Sequence, residues 1–293
     1  MSFPRIGLWV KSSVIIVLVF ALSSCSRSFG YRFADTYAMR QVRGYVSLDR
    51  EQRRDLRAEI NALLQWHAEQ EMPEYHALLA QLRDDITHQR IETDVYQSYQ
   101  IAVDQRWSAV RQQLMAPALG LLPRLSDAQA DELVASIRER ISEQEQESLD
   151  KSAEQRAQDN ADSLAKQAER WLGRLSDEQR QLLQDWTADA PSMASYWFEY
   201  RRRWADEFAA ALSLRNNPAE FEDTLQVLIV NPEQLRPQAL NDLLEESDAF
   251  NRNYMFALAD TLSAQQRDHL VRALGDIQTD LTRMARTRGV TLD

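Results

Sequence analysis

The chain is poor in cysteine, lysine, glycine and proline, and each scarcity removes a class of explanation. One cysteine, Cys25, stands among 293 residues, so neither an intramolecular disulfide nor a multi-cysteine metal centre is available. Seven glycines and eight prolines supply no glycine-rich loop for a nucleotide phosphate and argue against turn-dense β folds. Lysine occurs only at Lys11, Lys151 and Lys166, so nearly all of the 34 basic residues are arginine. They are outnumbered by 45 acids, giving a net charge of −11. Such an acidic body does not suit nonspecific nucleic-acid binding, which lives on phosphate neutralisation, and no nucleic-acid partner is expected. Only four histidines are present. No zincin pattern, nucleophile elbow, P-loop or dinucleotide fingerprint appears. The expectation is therefore no catalytic residue, no metal and no cofactor. Long apolar runs are missing too. The longest, residues 14–22, falls well short of the roughly 20 residues a spanning helix needs.

What is present begins with an address. Arg5 and Lys11 precede that apolar run and small residues follow it, the layout of a secretory signal peptide over residues 1–24. Leu22-Ser23-Ser24-Cys25 resembles the bacterial lipobox. In lipoproteins the peptidase reads the positions of Leu22, Ser23 and Ser24 and cuts before the cysteine. The cysteine sulfur carries a diacylglycerol and its amine an acyl chain such as palmitate. The resemblance thus implies a covalent lipid on Cys25 and attachment to a membrane. Ser26, where an aspartate would retain the protein at the inner membrane, implies the periplasmic face of the outer membrane. Each buried methylene contributes about 0.8 kcal/mol, so three chains anchor permanently where one does so marginally. The alternative is an ordinary signal peptide with a chance cysteine.

Residues 25–293 read as all-α, an elongated multi-helix bundle forming one domain or two bundles, because apolar residues recur at three and four with no strand pattern. The first helix, Phe29 to Tyr45, places Phe33, Tyr37, Ala38, Val42 and Tyr45 on one face. Phe29, Tyr31 and Phe33 either touch the headgroup layer or begin the core.

A start signal then recurs four times: Leu48-Asp49 with Gln52, Leu125-Ser126 with Gln129, Leu175-Ser176 with Gln179, and Leu262-Ser263 with Gln266. Each is a capping box, in which the Ser or Asp oxygen accepts from a first-turn N–H and the glutamine reaches back to the cap. Leu56, Leu133, Leu183 and Leu270 follow two turns in, on the buried side. The intervals are unequal, which excludes a solenoid period. The pattern resembles the LTxxQ element of small, all-helical periplasmic stress chaperones.

Pro73 kinks or restarts a helix, and Pro117, Gly120 and Pro123 predict a loop after a helix from Thr93 to Met115. The run from Asp127 to Leu172 has no glycine or proline and predicts a long helix over 127–172 with a polar middle and Gly173 as its C-cap. Met193, Trp197, Tyr200, Trp204, Phe208 and Leu212 form one face of a later helix.

Two constellations stand out. Trp66, His67, Glu71 and Tyr75 mix aromatic and acidic character near Pro73, as a binding edge or as a kink with the rings in the core. Arg201, Arg202 and Arg203 offer forked donors to phosphates or carboxylates, or partner the protein's own acids.

The whole layout resembles a proteobacterial lipoprotein family catalogued only as a domain of unknown function. The likeness is carried by the lipobox, the aromatic first helix, Tyr45-Val46-Ser47-Leu48-Asp49 with Gln52, Trp66-His67, and Glu71-Met72-Pro73-Glu74-Tyr75. That family brings no activity and no catalytic residues to carry over. The expected function is a noncatalytic envelope scaffold or interaction protein, held to the membrane by its lipid and with a protein partner in the envelope. The alternatives are a chaperone-like binder of unfolded envelope proteins and an enzyme on a cell-wall or lipid substrate. An exposed apolar concave surface marks the second and a deep pocket of convergent polar groups the third, whereas a polar, tightly packed surface marks the scaffold.

Overall fold

A computed structural model describes residue 31 and residues 33–292, and among these there is no strand. The helices are α1 Ala34–Arg43, α2 Arg50–Trp66, α3 Met72–Thr87, α4 Thr93–Gln113, α5 Met115–Leu121, α6 Asp127–Leu149, α7 Ala153–Leu172, α8 Asp177–Asp189, α9 Ala194–Ser213, α10 Pro218–Leu225, α11 Gln238–Asp260 and α12 Ala264–Arg286. Two π turns, His67–Glu71 and Gln226–Val230, extend α2 and α10. Short 3₁₀ turns occupy Leu122–Arg124 and Pro232–Leu235.

All four capping boxes form, with both reciprocal bonds, at the starts of α2, α6, α8 and α12. Their glutamines do more than cap. Gln52 and Gln129 exchange amide hydrogen bonds of 3.0 and 2.8 Å, and Gln179 and Gln266 do the same at 3.0 and 2.8 Å. Each glutamine also donates to the backbone carbonyl two residues before its partner's cap. Gln52 takes Arg124, Gln129 takes Ser47, Gln179 takes Thr261 and Gln266 takes Arg174. The boxes therefore meet in pairs, α2 with α6 and α8 with α12, in two joints of the same local two-fold pattern.

Apolar cores lie beneath the joints. Leu48, Leu56, Leu125, Phe208, Leu212, Phe221 and Leu225 belong to the first. Leu175, Leu183 and Trp186, with Leu262 and Leu270 against them, belong to the third. The second, with Met72, Leu79, Leu82, Leu274, Ile277 and Leu281, lies where α12 packs along α3. Trp171 and Leu270 pack against both the second and third cores. Gly275 admits Arg83 over α12, since a Cβ there would come within 3.2 Å of the guanidinium, which hydrogen-bonds Gln278 at 2.5 Å.

Three expectations are corrected. The 127–172 run is two helices, broken at Asp150–Ser152. Ser152 and Gln155 form a fifth capping box, which starts α7 afresh. The Pro117–Pro123 stretch is helical, because Pro117 falls in the first turn of α5 and Pro123 in the 3₁₀ turn, where no N–H is required of it. On α1 the buried side chain is Met39, while Phe33 and Tyr37 are 47% and 57% exposed.

Candidate functional site

Arg50–Thr87 is one helical rod interrupted by the π turn at His67–Glu71. Pro73 explains it. In an α-helix the proline ring would strike the carbonyl four residues back and leave it without a donor. Here the turn widens before the proline, and Met72 N–H bonds the His67 carbonyl five residues back.

The widened turn brings His67, Glu71 and Tyr75 into one cluster. The His67 and Tyr75 rings lie 5.5 Å apart, tilted at 57°, and Tyr31 approaches from the other side with its ring 6.1 Å from His67. The Tyr31 hydroxyl donates to the Leu64 carbonyl at 2.9 Å. With that proton committed, the hydrogen-bond network assigns the His67 proton to Nδ1, which donates to the Tyr31 oxygen at 3.3 Å. Burial pulls the His67 pKa down to about 4, so the ring is neutral at pH 7. Burial likewise pushes the Tyr31 hydroxyl up to about 12, against the pull of Arg288, and raises Tyr75, with the Glu71 charge adding to the effect.

Glu71 is 2% exposed. Its Oε1 lies 3.9 Å from the Arg106 guanidinium, which also reaches Glu74 at 3.7 Å, while its Oε2 has no hydrogen-bond partner. Burial raises its pKa, and Arg106 opposes the rise. The groups suit proton exchange in kind, but they are packed into the fold. The cleft beside this rod, about 360 Å³, is lined by Pro73, His76, Ala77, Ala80, Thr291 and Leu292 and by none of the cluster. Trp66 is half-buried at the end of α2 and, among the described residues, makes no ring contact with the cluster.

The arginine triplet has a different fate. Arg201 donates to Gln144 Oε1 at 2.7 Å, and Arg202 grips the Glu145 carboxylate at 2.6 and 2.5 Å. Both partners lie on α6, so two of the three arginines pin α9 to α6. Burial lowers the Arg201 pKa. Arg203 is exposed. Of the triplet, Arg202 thus partners one of the protein's own acids and Arg201 an amide.

Two buried polar seams complete the interior. The Tyr99 hydroxyl donates to Asp85 at 2.6 Å, and Arg90 donates to the same carboxylate at 2.9 Å. Trp186 Nε1 donates to Asn251 at 2.7 Å, and Asn251 donates to Ser247 at 2.9 Å. Among the described residues no cluster of three or more histidine, cysteine or acidic side chains could hold a metal.

A second cleft, about 750 Å³, opens between α1 and the start of α2. Its wall is Thr36, Met39, Arg40, Arg43, Gly44, Arg50, Arg53, Arg54 and Arg57, with no acid among them.

Of the residues singled out in the sequence, the fold brings His67, Glu71 and Tyr75 together and sends Arg201–Arg203 to another face. Leu22, Ser23, Ser24 and Cys25 lie outside the described residues. Tyr31 and Arg106 join the cluster from α1's approach and from α4, contacts that no local spacing announces. The cleft arginines did carry a signal, since Arg50, Arg53, Arg54 and Arg57 recur at helical spacing.

No curated protein and no solved structure matches the chain. The model of a family of unknown function, DUF6279, matches residues 44–240, which hold four of the five capping boxes, both π turns and the arginine triplet. The chain belongs to that family of unknown function.

Proposed function

We propose that the protein is a lipid-anchored bacterial lipoprotein of the outer membrane, held by an acylated Cys25 and acting from the periplasmic face as a noncatalytic scaffold or interaction protein. The observation that carries the scaffold reading is the surface. The described large apolar side chains that reach solvent are Phe33, Tyr37, Ile101, Trp107, Leu114 and Leu149, spread over α1, α4 with its cap, and α6. Phe33 and Tyr37 neighbour each other on α1 and the others lie on other elements; small groups of that kind are ordinary, whereas a binder of unfolded chains needs an extended continuous apolar face. Glu71 of the His67 cluster is buried, and neither described cleft is lined by the cluster's residues, which supports a structural role for them.

In-cell crosslinking of the anchored protein, read by mass spectrometry with Cys25→Ala as control, tests the reading. One or two stoichiometric partners, lost with the anchor, are expected. A broad set of immature envelope proteins would mean a chaperone, and no partner would return attention to enzyme chemistry. Unchanged lipid labelling in Cys25→Ala would defeat the anchor.

A further inference from the structure

We infer that the arginine cleft between α1 and α2 is a docking surface for an anionic phospholipid bilayer, on which the body of the protein lies down beside its own anchor. The inference rests on the lipoprotein reading for the tether, but the cleft has its own chemistry.

All six arginines of the cleft are exposed. Among the described residues the side chains of Arg40, Arg43 and Arg50 form neither a hydrogen bond nor an ion pair. Arg54 meets Asp55 at 2.8 Å and Glu51 at 3.8 Å, and Arg57 reaches Asp35 only at 4.0 Å. Arg53 donates to the Leu48 carbonyl. In a chain with 11 more acids than bases, a wall of six arginines and no acid runs against the composition. Unpaired guanidinium groups of this kind select a dense, planar array of phosphates.

The flank of the cleft supplies the apolar half of an interfacial surface. Phe33, Tyr37 and Arg40 follow one another at i, i+4 and i+7, so they share one face of α1, with Thr36 and Arg43 beside them. Ala38 and Val42 on the far side pack against the first core, and Met39, buried in that core, borders the cleft. The two large rings are thus exposed on the face that carries the cations, the amphipathic arrangement that sits at headgroup level. An acidic protein partner would pair with the arginines but gives no reason for aromatic rings about half exposed next to them.

Distance agrees. Seven residues lie between Cys25 and Phe33, and the eight steps span at most about 28 Å when fully extended. A lipid on Cys25 would therefore keep this face within reach of the headgroups at all times and turn docking into an intramolecular event.

The test uses the full chain with Cys25→Ala, mixed with vesicles of phosphatidylcholine alone or with about 30% phosphatidylglycerol, and reads the bound fraction by sedimentation. Apolar insertion by residues 14–22 contributes equally to both vesicles and cancels in the ratio. Each arginine near an anionic surface is worth about fivefold, so Arg40→Gln/Arg43→Gln/Arg50→Gln should cut the anionic-to-neutral partition ratio by about a hundredfold. Among the described residues no side-chain hydrogen bond or ion pair is lost with these three, and circular dichroism checks that the helices survive. A control triple far from the cleft, Arg174→Gln/Arg272→Gln/Arg286→Gln, should leave the ratio within a few-fold. Phe33→Ala/Tyr37→Ala should weaken binding to both vesicles. Equal partition of the parent chain, or equal losses in both arginine triples, would overturn the inference and leave an acidic macromolecule as the occupant. The anchor is read separately, from the mass of the Cys25 adduct on the unaltered chain. Its absence would defeat the lipoprotein reading and leave the vesicle result standing.

Discussion

Removing the paired glutamines one at a time and together measures what holds the α8–α12 joint. Gln179 is 1% exposed. Its carbonyl oxygen accepts from Ser176 N–H at 3.0 Å and from Gln266 Nε2 at 2.8 Å. Its Nε2 donates to Gln266 Oε1 at 3.0 Å and to the Thr261 hydroxyl at 3.1 Å. A net hydrogen bond is worth about 0.5–1.5 kcal/mol, and a buried partner left bare costs more. Gln179→Ala should therefore destabilise by about 3 kcal/mol, or about 6–12 °C in melting temperature for a chain of this size. Gln266→Ala should cost a similar amount. The two bonds they exchange are counted in both single variants but are lost only once in the double. The double variant should fall short of additivity by about 2 kcal/mol. Urea titration followed by helical circular dichroism gives all four corners of the cycle. A coupling below about 0.5 kcal/mol would lie within ordinary additivity and refute the joint as an energetic unit. Gln155, exposed and with no partner glutamine, sets the baseline: Gln155→Ala should cost about 1 kcal/mol and couple to neither.

The other predictions concern the His67 turn and the α6–α7 break. Because burial lowers the His67 pKa from 6.5 to about 4, the unfolded chain binds the proton first, and stability should fall as pH drops through that window. The full effect approaches about 3 kcal/mol, and His67→Phe should flatten the slope of denaturation midpoint against pH between 6.5 and 4. A slope unchanged in that variant would place the proton-linked group elsewhere. Ser152→Ala should remove the cap of α7 at a cost of about 1 kcal/mol and speed amide exchange in the first turn of α7 while leaving the start of α8 protected. Uniform loss of protection in both helices would mean that the break is not a local boundary.

The capping boxes were legible because their signal is local: cap and glutamine stand three apart, and a leucine before the cap marks four of the five. Ser152 escaped because Lys151 takes the place of that leucine in an already polar stretch, so 127–172 read as one helix. The meeting of Gln52 with Gln129 was not legible, since it joins residues 77 apart through packing that no local pattern encodes. Periodicity showed that α1 is a helix but not which of its faces the core would cover. Phe33 and Tyr37 recur at helical spacing as core residues do, yet they are 47% and 57% exposed while Met39 between them and Val42 is buried. His67, Glu71 and Tyr75 were visible as a group because the rod that carries them is continuous. Tyr31 and Arg106 come from other elements and were invisible.

The π turn at His67–Glu71 also bears on how the chain tolerates changes of length. A π turn holds one residue more than an α turn, so it amounts to an insertion absorbed within a rod that keeps its faces on both sides. Deleting a residue anywhere else between Arg50 and Thr87 would rotate everything beyond it by about 100° and turn Leu79 and Leu82 away from the core they share with α12. Deleting exposed Gln70 together with Pro73→Ala would instead return the turn to an ordinary α-helix with both faces in place. Relatives that differ by one residue in this rod would carry the difference here.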